Sequence, residues 1–264
     1  MTKVIILGSG AAPGVPAIAK GWGACNPNNE KNRRKRVGTY IQIGSQKILI
    51  DTSPDLRAQL LENNIKHIDA VLYTHAHADH LHGIDDLREF NRLTKKPIDI
   101  YGSSHSIEQI KTRFSYLICH GECADKGIFK ASLNAHVLGF DEDFYLNDVK
   151  INLLELGGHL VPSNGYLFND GEIVYISDCR EICDKALAKI KRRPKLLILP
   201  LTTINSNYAK CSHMGLDKVL EYVNVIGPEL AVINHMAVEC DYDEVNSLTP
   251  SNVVPAYDNM VIEF

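Results

Sequence analysis

Residues 70–80 read AVLYTHAHADH, an apolar run followed at once by four metal-binding side chains within six residues. In extended backbone, residues two positions apart project to the same side, so His75 and His77 can converge on one ion. If the chain then turns into a helix, Asp79 and His80 swing towards a second ion nearby. Imidazole and carboxylate together favour zinc, manganese or iron over calcium or magnesium. A histidine-rich surface loop is the alternative, and the buried strand that delivers the cluster argues against it.

The bulk composition is that of an ordinary soluble globular protein. The chain has 264 residues, of which 45% are apolar and 23% charged, with a formal net charge of -4. Because no global positive field attracts nucleic acid, a nucleic-acid partner is disfavoured. The basic stretch 31–36 leaves room for a local patch only.

Targeting signals and membrane segments are not evident in the sequence. The N-terminus carries no long apolar segment followed by a cleavage site, and no stretch reaches the eighteen or so apolar residues of a membrane span. The seven cysteines are odd in number and scattered, which does not indicate a disulfide framework. These features predict a cytoplasmic protein without a membrane partner.

Short β-like runs in both halves of the chain, with helical stretches between them, predict an α/β protein in which two sheets pack together under helices. No low-complexity linker divides the chain, so we expect a single domain over residues 1–264. Helices are predicted at Pro54–Leu61, His80–Leu93, Ser106–Phe114, Glu181–Ile190 and Met214–Val225. The segment Cys119–Asp143 shows weak periodicity and is expected to be irregular. Its CHGEC motif at 119–123 lacks a second pair of ligands nearby, so we do not assign it a metal.

Three further positions follow predicted strands and could complete a two-metal site. His159 comes after a run that ends in two glycines, Asp178 ends the run Ile173–Ser177, and His235 ends the run Leu230–Asn234. Each of them taken alone could be a cap or a hydrogen-bonded core residue. Their joint placement at strand ends favours function, because catalytic groups concentrate on loops held by rigid strands.

With these residues in order, the chain resembles the metallo-β-lactamase-fold hydrolase superfamily. The resemblance rests on residues 74–83, THAHADHLHG, followed by His159, Asp178 and His235. It implies an αββα sandwich of two mixed β-sheets flanked by helices, with two divalent ions, zinc or manganese, at one edge. It implies one metal held by His75, His77 and His159, and a second held by Asp79, His80 and His235, with Asp178 as the bridge.

The expected chemistry is hydrolysis by a metal-activated hydroxide, since two divalent ions lower the pKa of a shared water and stabilise charge on the group under attack. The leaving group then needs an acid. His213 lies where a helix is predicted to begin and could protonate a leaving alkoxide. Equally, Ser212 or His213 could simply cap that helix.

A narrower resemblance is to the phosphoribosyl 1,2-cyclic phosphate phosphodiesterase group. It rests on residues 7–16 (LGSGAAPGVP), 32–34 (NRR), 82–88 (HGIDDLR) and 241–243 (DYD). It implies a small cyclic phosphodiester as substrate, His213 as general acid, and Asp79 in contact with the chemistry as well as with metal. Some members carry an accessory cysteine cluster for zinc. Here only Cys25 stands in that segment, so we expect no such site.

Three arginines are candidates to contact the substrate, and the sequence leaves two alternatives open for their positions. Arg88 could point towards the cleft or pair with Asp85 on the same helix. Arg33 and Arg34 could approach the site or lie on a solvated loop.

Other readings of the chain stay open, including glyoxalase II-like thioester hydrolysis, whose downstream sequence pattern fits less well. A ribonuclease Z-like tRNA-processing endonuclease shares the metal motifs, although no long basic, glycine-rich arm is visible in the sequence. A non-catalytic member of the fold would bind a metabolite instead, and the complete ligand set argues against it. A homodimer is left open, because related folds often dimerise.

Overall fold

The computed structural model describes residues 1–119, 130–204 and 213–264. All but the first residue of the CHGEC motif therefore falls outside the described residues. The strands, in chain order, are β1 Thr2–Gly8, β2 Gly38–Ile43, β3 Gln46–Ile50, β4 Ala70–Tyr73, β5 Ile98–Gly102, β6 Leu133–Val137, β7 Phe144–Leu146, β8 Val149–Gly157, β9 Asn164–Phe168, β10 Ile173–Tyr175, β11 Glu181–Ile182, β12 Leu196–Pro200, β13 Leu230–Asn234, β14 Val253–Pro255 and β15 Met260–Glu263.

Helices connect these strands. The α-helices are α1 Leu56–Glu62, α2 Ala78–Leu81, α3 Arg88–Thr94, α4 Ser104–Arg113, α5 Asp184–Lys189, α6 Leu216–Ile226 and α7 Tyr242–Ser247, and short 3-10 turns lie at Glu30–Asn32, Ile84–Leu87, Ser115–Leu117 and Asn169–Gly171. The longest helix among the described residues, α6, has 11 residues, well short of the roughly 20 that a bilayer-spanning helix needs.

The described strands form two mixed sheets with the same plan. The first has the order β15-β1-β2-β3-β4-β5-β6, and the second has the order β11-β8-β9-β10-β12-β13-β14, with β7 paired to β8. In each sheet one half is antiparallel and the other half, from β3 to β6 or from β10 to β14, is parallel. The carboxyl ends of the parallel strands therefore meet at common edges, where loops can share a site.

Successive side chains along a strand point to opposite faces of the sheet, so each strand contributes residues to two layers of the fold. From the first sheet, Ile6 and Leu72 belong to the same buried cluster as Leu153 of the second sheet. Their neighbours Leu7 and Val71 face the other way and pack with residues of α1, α3 and α4. On the second sheet, α6 contributes buried residues at helical spacing, Leu216, Val219 and Val223. The predicted αββα sandwich of two mixed sheets under helices is confirmed.

The single helix predicted over His80–Leu93 is wrong, because the structure has α2, a 3-10 turn and α3 there. Gly83 explains the break. Its amide donates to Thr52 O at 2.9 Å, and a Cβ at this position would lie 2.0 Å from Ser53 O. This close backbone approach bends the chain, so the metal-motif helix stays short.

Two other local predictions are corrected. Glu181–Ile182 is a strand rather than the start of a helix, because it pairs antiparallel with Gly157 and Leu156 of β8. The segment expected to be irregular contains β6, whose residues are mostly exposed or half-buried. An edge strand of this kind shows little periodicity.

Among the described cysteines, Cys25, Cys179, Cys183 and Cys240 are free, and Cys119 is disulfide-bonded.

Candidate metal centre

The seven residues expected as metal ligands come from different loops and converge at one edge of the two sheets. His75 and His77 follow β4, and Asp79 and His80 lie on α2. The remaining three follow strands of the second sheet: His159 after β8, Asp178 after β10 and His235 after β13. The structure places all seven within two donor clusters.

The first cluster is His75, His77 and His159, whose donor atoms lie within 4.8 Å of one another. His75 Nε2 is 3.1 Å from His77 Nδ1, and the three rings contact one another edge to face at centroid separations of 4.8–4.9 Å. Rings arranged edge to face around a common point can present three nitrogens to one ion. This is the geometry that the HxH spacing predicts.

The second cluster contains Asp79, His80, Asp178 and His235, all buried. Asp178 Oδ2 lies 3.1 Å from His235 Nε2 and 3.4 Å from His80 Nε2, and Asp79 Oδ2 lies 3.4 Å from both nitrogens. The same Asp178 oxygen is 4.0 Å from His75 Nε2 in the first cluster. Asp178 thus stands between the two clusters, where a bridging carboxylate belongs.

Hydrogen bonds to the Nδ1 atoms of two histidines favour metal binding through their other ring nitrogen. The Nδ1 atom of His159 contacts Val161 O at 3.0 Å, and the Nδ1 atom of His80 contacts Asp51 Oδ2 at 2.7 Å. These bonds favour the proton on Nδ1, which leaves Nε2 as the ligating atom. The Nε2 atoms of both rings are buried and have no hydrogen-bond partner among the described residues. A buried acceptor without a donor is costly, and a cation would satisfy it.

The protonation states of His75 and His159 also fit a cation. Burial lowers the pKa of His159 to about 4, and burial likewise holds the pKa of His75 well below its usual value. Both rings are therefore neutral, as ligation requires. Burial alone would raise the pKa of Asp178, but the nearby His235 and His80 hold it well below its usual range. The donor set of imidazoles and buried carboxylates suits divalent metal ions.

Asp51 is a site residue that sequence reasoning missed. It follows β3 with a left-handed φ of 61°, is fully buried, and accepts hydrogen bonds from the Thr74 amide at 2.8 Å and the Thr74 hydroxyl at 2.7 Å. Its other contact, to His80 Nδ1, fixes that ring. The signal was present in the sequence, because Asp51 ends the apolar run Ile48–Ile50 just as Asp178 ends its own.

Replacing Asp51 with asparagine is expected to weaken metal binding by about 10–100-fold. The amide would donate to His80 Nδ1 and so move the ring proton to Nε2, the atom that must be free to ligate. Competition against a chelator of known affinity measures the loss. An unchanged affinity in a folded D51N variant would show that the His80 tautomer does not depend on Asp51.

His213, the candidate acid, lies beside the second cluster. Its Nε2 is 3.3 Å from Asp178 Oδ2, and its ring stacks on His235 at 5.5 Å with an interplanar angle of 14°. The side chain is 20% exposed, so it reaches both the centre and the cleft. It does not cap α6, which begins at Leu216 with Gly215 as the N-cap. With His159 and Asp178 it also forms a third cluster of donors within 4.8 Å.

The arginines that sequence reasoning left open take structural positions. Arg34 is only 2% exposed and donates to Asn32 Oδ1 at 3.0 Å and to Ala237 O at 3.3 Å. Arg33 lies over the Trp22 ring at 5.0 Å. Of the two alternatives for Arg88, the pairing with Asp85 is not observed: Arg88 Nε lies 3.6 Å from the neighbouring Glu89, and Asp85 accepts from the Tyr116 hydroxyl.

A cleft of about 750 Å³ opens onto the two clusters. Four of the proposed ligands and the candidate acid line it, namely His77, Asp79, Asp178, His235 and His213. Its outer wall is largely apolar and includes Ile18 and Leu160, which are both strongly exposed. At its rim Lys20 Nζ pairs with Glu239 Oε1 at 2.6 Å. A small molecule therefore has direct access to the donor atoms.

An αββα sandwich with a three-histidine cluster and a histidine–aspartate cluster at one sheet edge is the arrangement of the metallo-β-lactamase fold. Residues 46–236 match the sequence model of the family described as the beta-lactamase superfamily domain, and the chain belongs to that family. It is similar in structure to a crystal structure described as a new diphosphatase from the PhnP family, with a TM-score of 0.87 and 27% identity over 100% of this chain and 98% of the other. The chain is thus PhnP-like.

Two further similarities are broader. An octanoyltransferase of Porphyromonas gingivalis (strain ATCC BAA-308 / W83) is 27% identical over 262 residues, which is 98% of this chain and 51% of that protein. The chain thus spans about half the length of this relative. Human tRNase Z, short form, has a TM-score of 0.68 and 20% identity over 99% of this chain and 98% of the other. At that identity the likeness shows the fold alone.

Proposed function

We propose that this protein is a binuclear metal-dependent phosphodiesterase that acts on a small phosphodiester. The observation that carries the proposal is the position of Asp178. Its Oδ2 lies between the two donor clusters and within 3.3 Å of His213 Nε2, at the floor of an open cleft. One carboxylate can thus organise two ions beside a candidate proton donor.

The proposed ligand sets are His75, His77 and His159 for one ion and Asp79, His80 and His235 for the other, with Asp178 between them. When bound, two divalent ions of zinc or manganese supply Lewis acidity and a water of lowered pKa. His213 delivers a proton to the leaving oxygen. It lines the cleft and, unlike the lining histidines His77 and His235, it belongs to neither proposed ligand set. Asp79 also lines the cleft and can accept a hydrogen bond from the attacking water.

For the substrate we propose a small cyclic phosphate such as phosphoribosyl 1,2-cyclic phosphate. The similarity to a PhnP-family diphosphatase supports hydrolysis at phosphorus, and a cleft of about 750 Å³ suits a metabolite. The net charge of -4 gives little attraction for tRNA, which makes the ribonuclease Z-like alternative the weaker one. A cytoplasmic location and a small-molecule partner complete the proposal.

The test is a paired assay on the metal-replete protein. One arm offers cyclic phosphates and model diesters such as bis(p-nitrophenyl) phosphate, and the other offers a precursor tRNA. We expect turnover of small diesters, with phosphorylated products, and no trimming of the tRNA. Efficient tRNA cleavage without turnover of any small diester would overturn the proposal.

A further inference from the structure

His235 is held in a backbone conformation that histidine rarely adopts. Its φ is 57°, in the left-handed region, although its ring must reach both Asp178 and Asp79. A non-glycine residue in this region stores strain and persists only where the surroundings fix it. Something next to His235 must therefore supply that restraint.

The restraint comes from the loop that follows β1. The amide of Met236, the residue after His235, donates to Ser9 O at 2.9 Å, and Met236 O accepts from the Ala11 amide at 3.1 Å. Gly10, between Ser9 and Ala11 in the sequence, forms a parallel β-bridge with Met236. A Cβ on Gly10 would lie 2.8 Å from Lys35 O, so only glycine lets the loop sit this close to the neighbouring chain.

The loop is itself anchored by Asp258, which precedes β15. One carboxylate oxygen, Oδ1, accepts from both the amide and the hydroxyl of Ser9 at 2.9 Å. The other, Oδ2, accepts from the Lys35 amide at 2.7 Å. The side chain is only 9% exposed, and Lys35 Nζ lies 3.7 Å away. Three hydrogen bonds from two segments thus converge on one carboxylate.

We propose that Asp258 is a positioning residue for the metal centre: through Ser9 and Met236 it holds His235 in its strained conformation and so controls the affinity of one ion only. The chain of contacts runs from Asp258 to Ser9, from Ser9 to Met236, and from Met236 to the adjacent ligand. The first cluster, His75, His77 and His159, belongs to other loops and shares no residue with this chain of contacts. The inference rests on the proposed ligand sets and not on the identity of the substrate.

The test measures metal binding rather than turnover, so it does not depend on which diester is cleaved. Zinc is titrated into apo-protein against a chelator to obtain two separate affinities. For D258A we expect one affinity to fall by about 10–100-fold while the other is unchanged. For S9A, which removes one hydrogen bond and keeps the amide contact, we expect a smaller loss in the same affinity.

Asp69 supplies a matched control. It also accepts a backbone hydrogen bond, from the Lys47 amide at 2.7 Å, but it lies just before β4, at the opposite end of that strand from His75. D69A should leave both metal affinities unchanged, even where its melting temperature falls. The milder D258N variant keeps the experiment informative if D258A does not fold.

A double-mutant cycle assigns the affected ion. Adding D258A to H235A should cause no further loss of metal affinity, whereas adding it to H159A should cause the same loss as in the wild type. Equal loss of both affinities, loss that persists in the H235A background, or no loss in any folded Asp258 variant would overturn the proposal. A chain that binds zinc as expected but cleaves no diester would refute the proposed function and leave this inference intact.

Discussion

Replacing His77 with alanine is expected to remove one bound ion and to abolish hydrolysis. The first cluster offers three donors, and His77 Nδ1 lies 3.1 Å from His75 Nε2 at its centre. Only two histidines and the shared Asp178 would remain, so this ion is expected to bind too weakly to survive purification. Elemental analysis of the purified variant and diester hydrolysis measured with added metal report the two losses together.

His67 offers a matched control for this substitution. It is a half-exposed histidine that precedes β4, at the opposite end of that strand, and contacts Asp69 at 3.7 Å. H67A should keep both the metal content and the activity of the wild type. If H77A retained activity in a metal-replete assay, the binuclear mechanism would be wrong.

Replacing His213 with alanine is expected to keep both ions and to reduce turnover by about 10²–10⁴-fold, the usual contribution of a general acid. The Nε2 atom of this ring lies 3.3 Å from Asp178 Oδ2, and the ring lies outside the two proposed ligand sets. The loss should be smaller for substrates whose leaving group is already acidic, such as nitrophenolate, because such a group departs without a proton. Comparison of kcat for alkyl and nitrophenyl diesters measures this difference.

Two outcomes would contradict the role as acid. Equal loss of kcat on every substrate would place His213 in substrate binding or in positioning Asp178. Loss of one ion from H213A would assign it to the third donor cluster, with His159 and Asp178, as a ligand.

Much of the fold and of the site follows from local signals. Apolar runs mark the central strands, and a polar metal-binding residue at the end of such a run marks the site edge, as at His75 and Asp178. Asp51 obeys the same rule. It escaped notice because it lies in a separate stretch, and its hydrogen bond to His80 spans 29 positions in the sequence.

Local sequence patterns do not predict features that depend on contacts between distant segments of the chain. The break at Gly83 depends on the backbone of Ser53, and the pairing of Glu181–Ile182 depends on β8. The buried place of Arg34 depends on Ala237 O, 203 residues away. Hydrophobic periodicity contains no information on such partners, so these residues had to be located in three dimensions.

The central claim is that seven side chains from both sheets hold two metal ions and that these ions are needed for phosphodiester cleavage. The most direct test is to measure bound metal per chain together with hydrolysis of a small cyclic phosphate, before and after chelation and again after zinc or manganese is restored. We predict two ions per chain, loss of hydrolysis on chelation, and its recovery as the second ion binds. Full hydrolysis by chelated protein, or full activity with fewer than two ions per chain, would contradict the account.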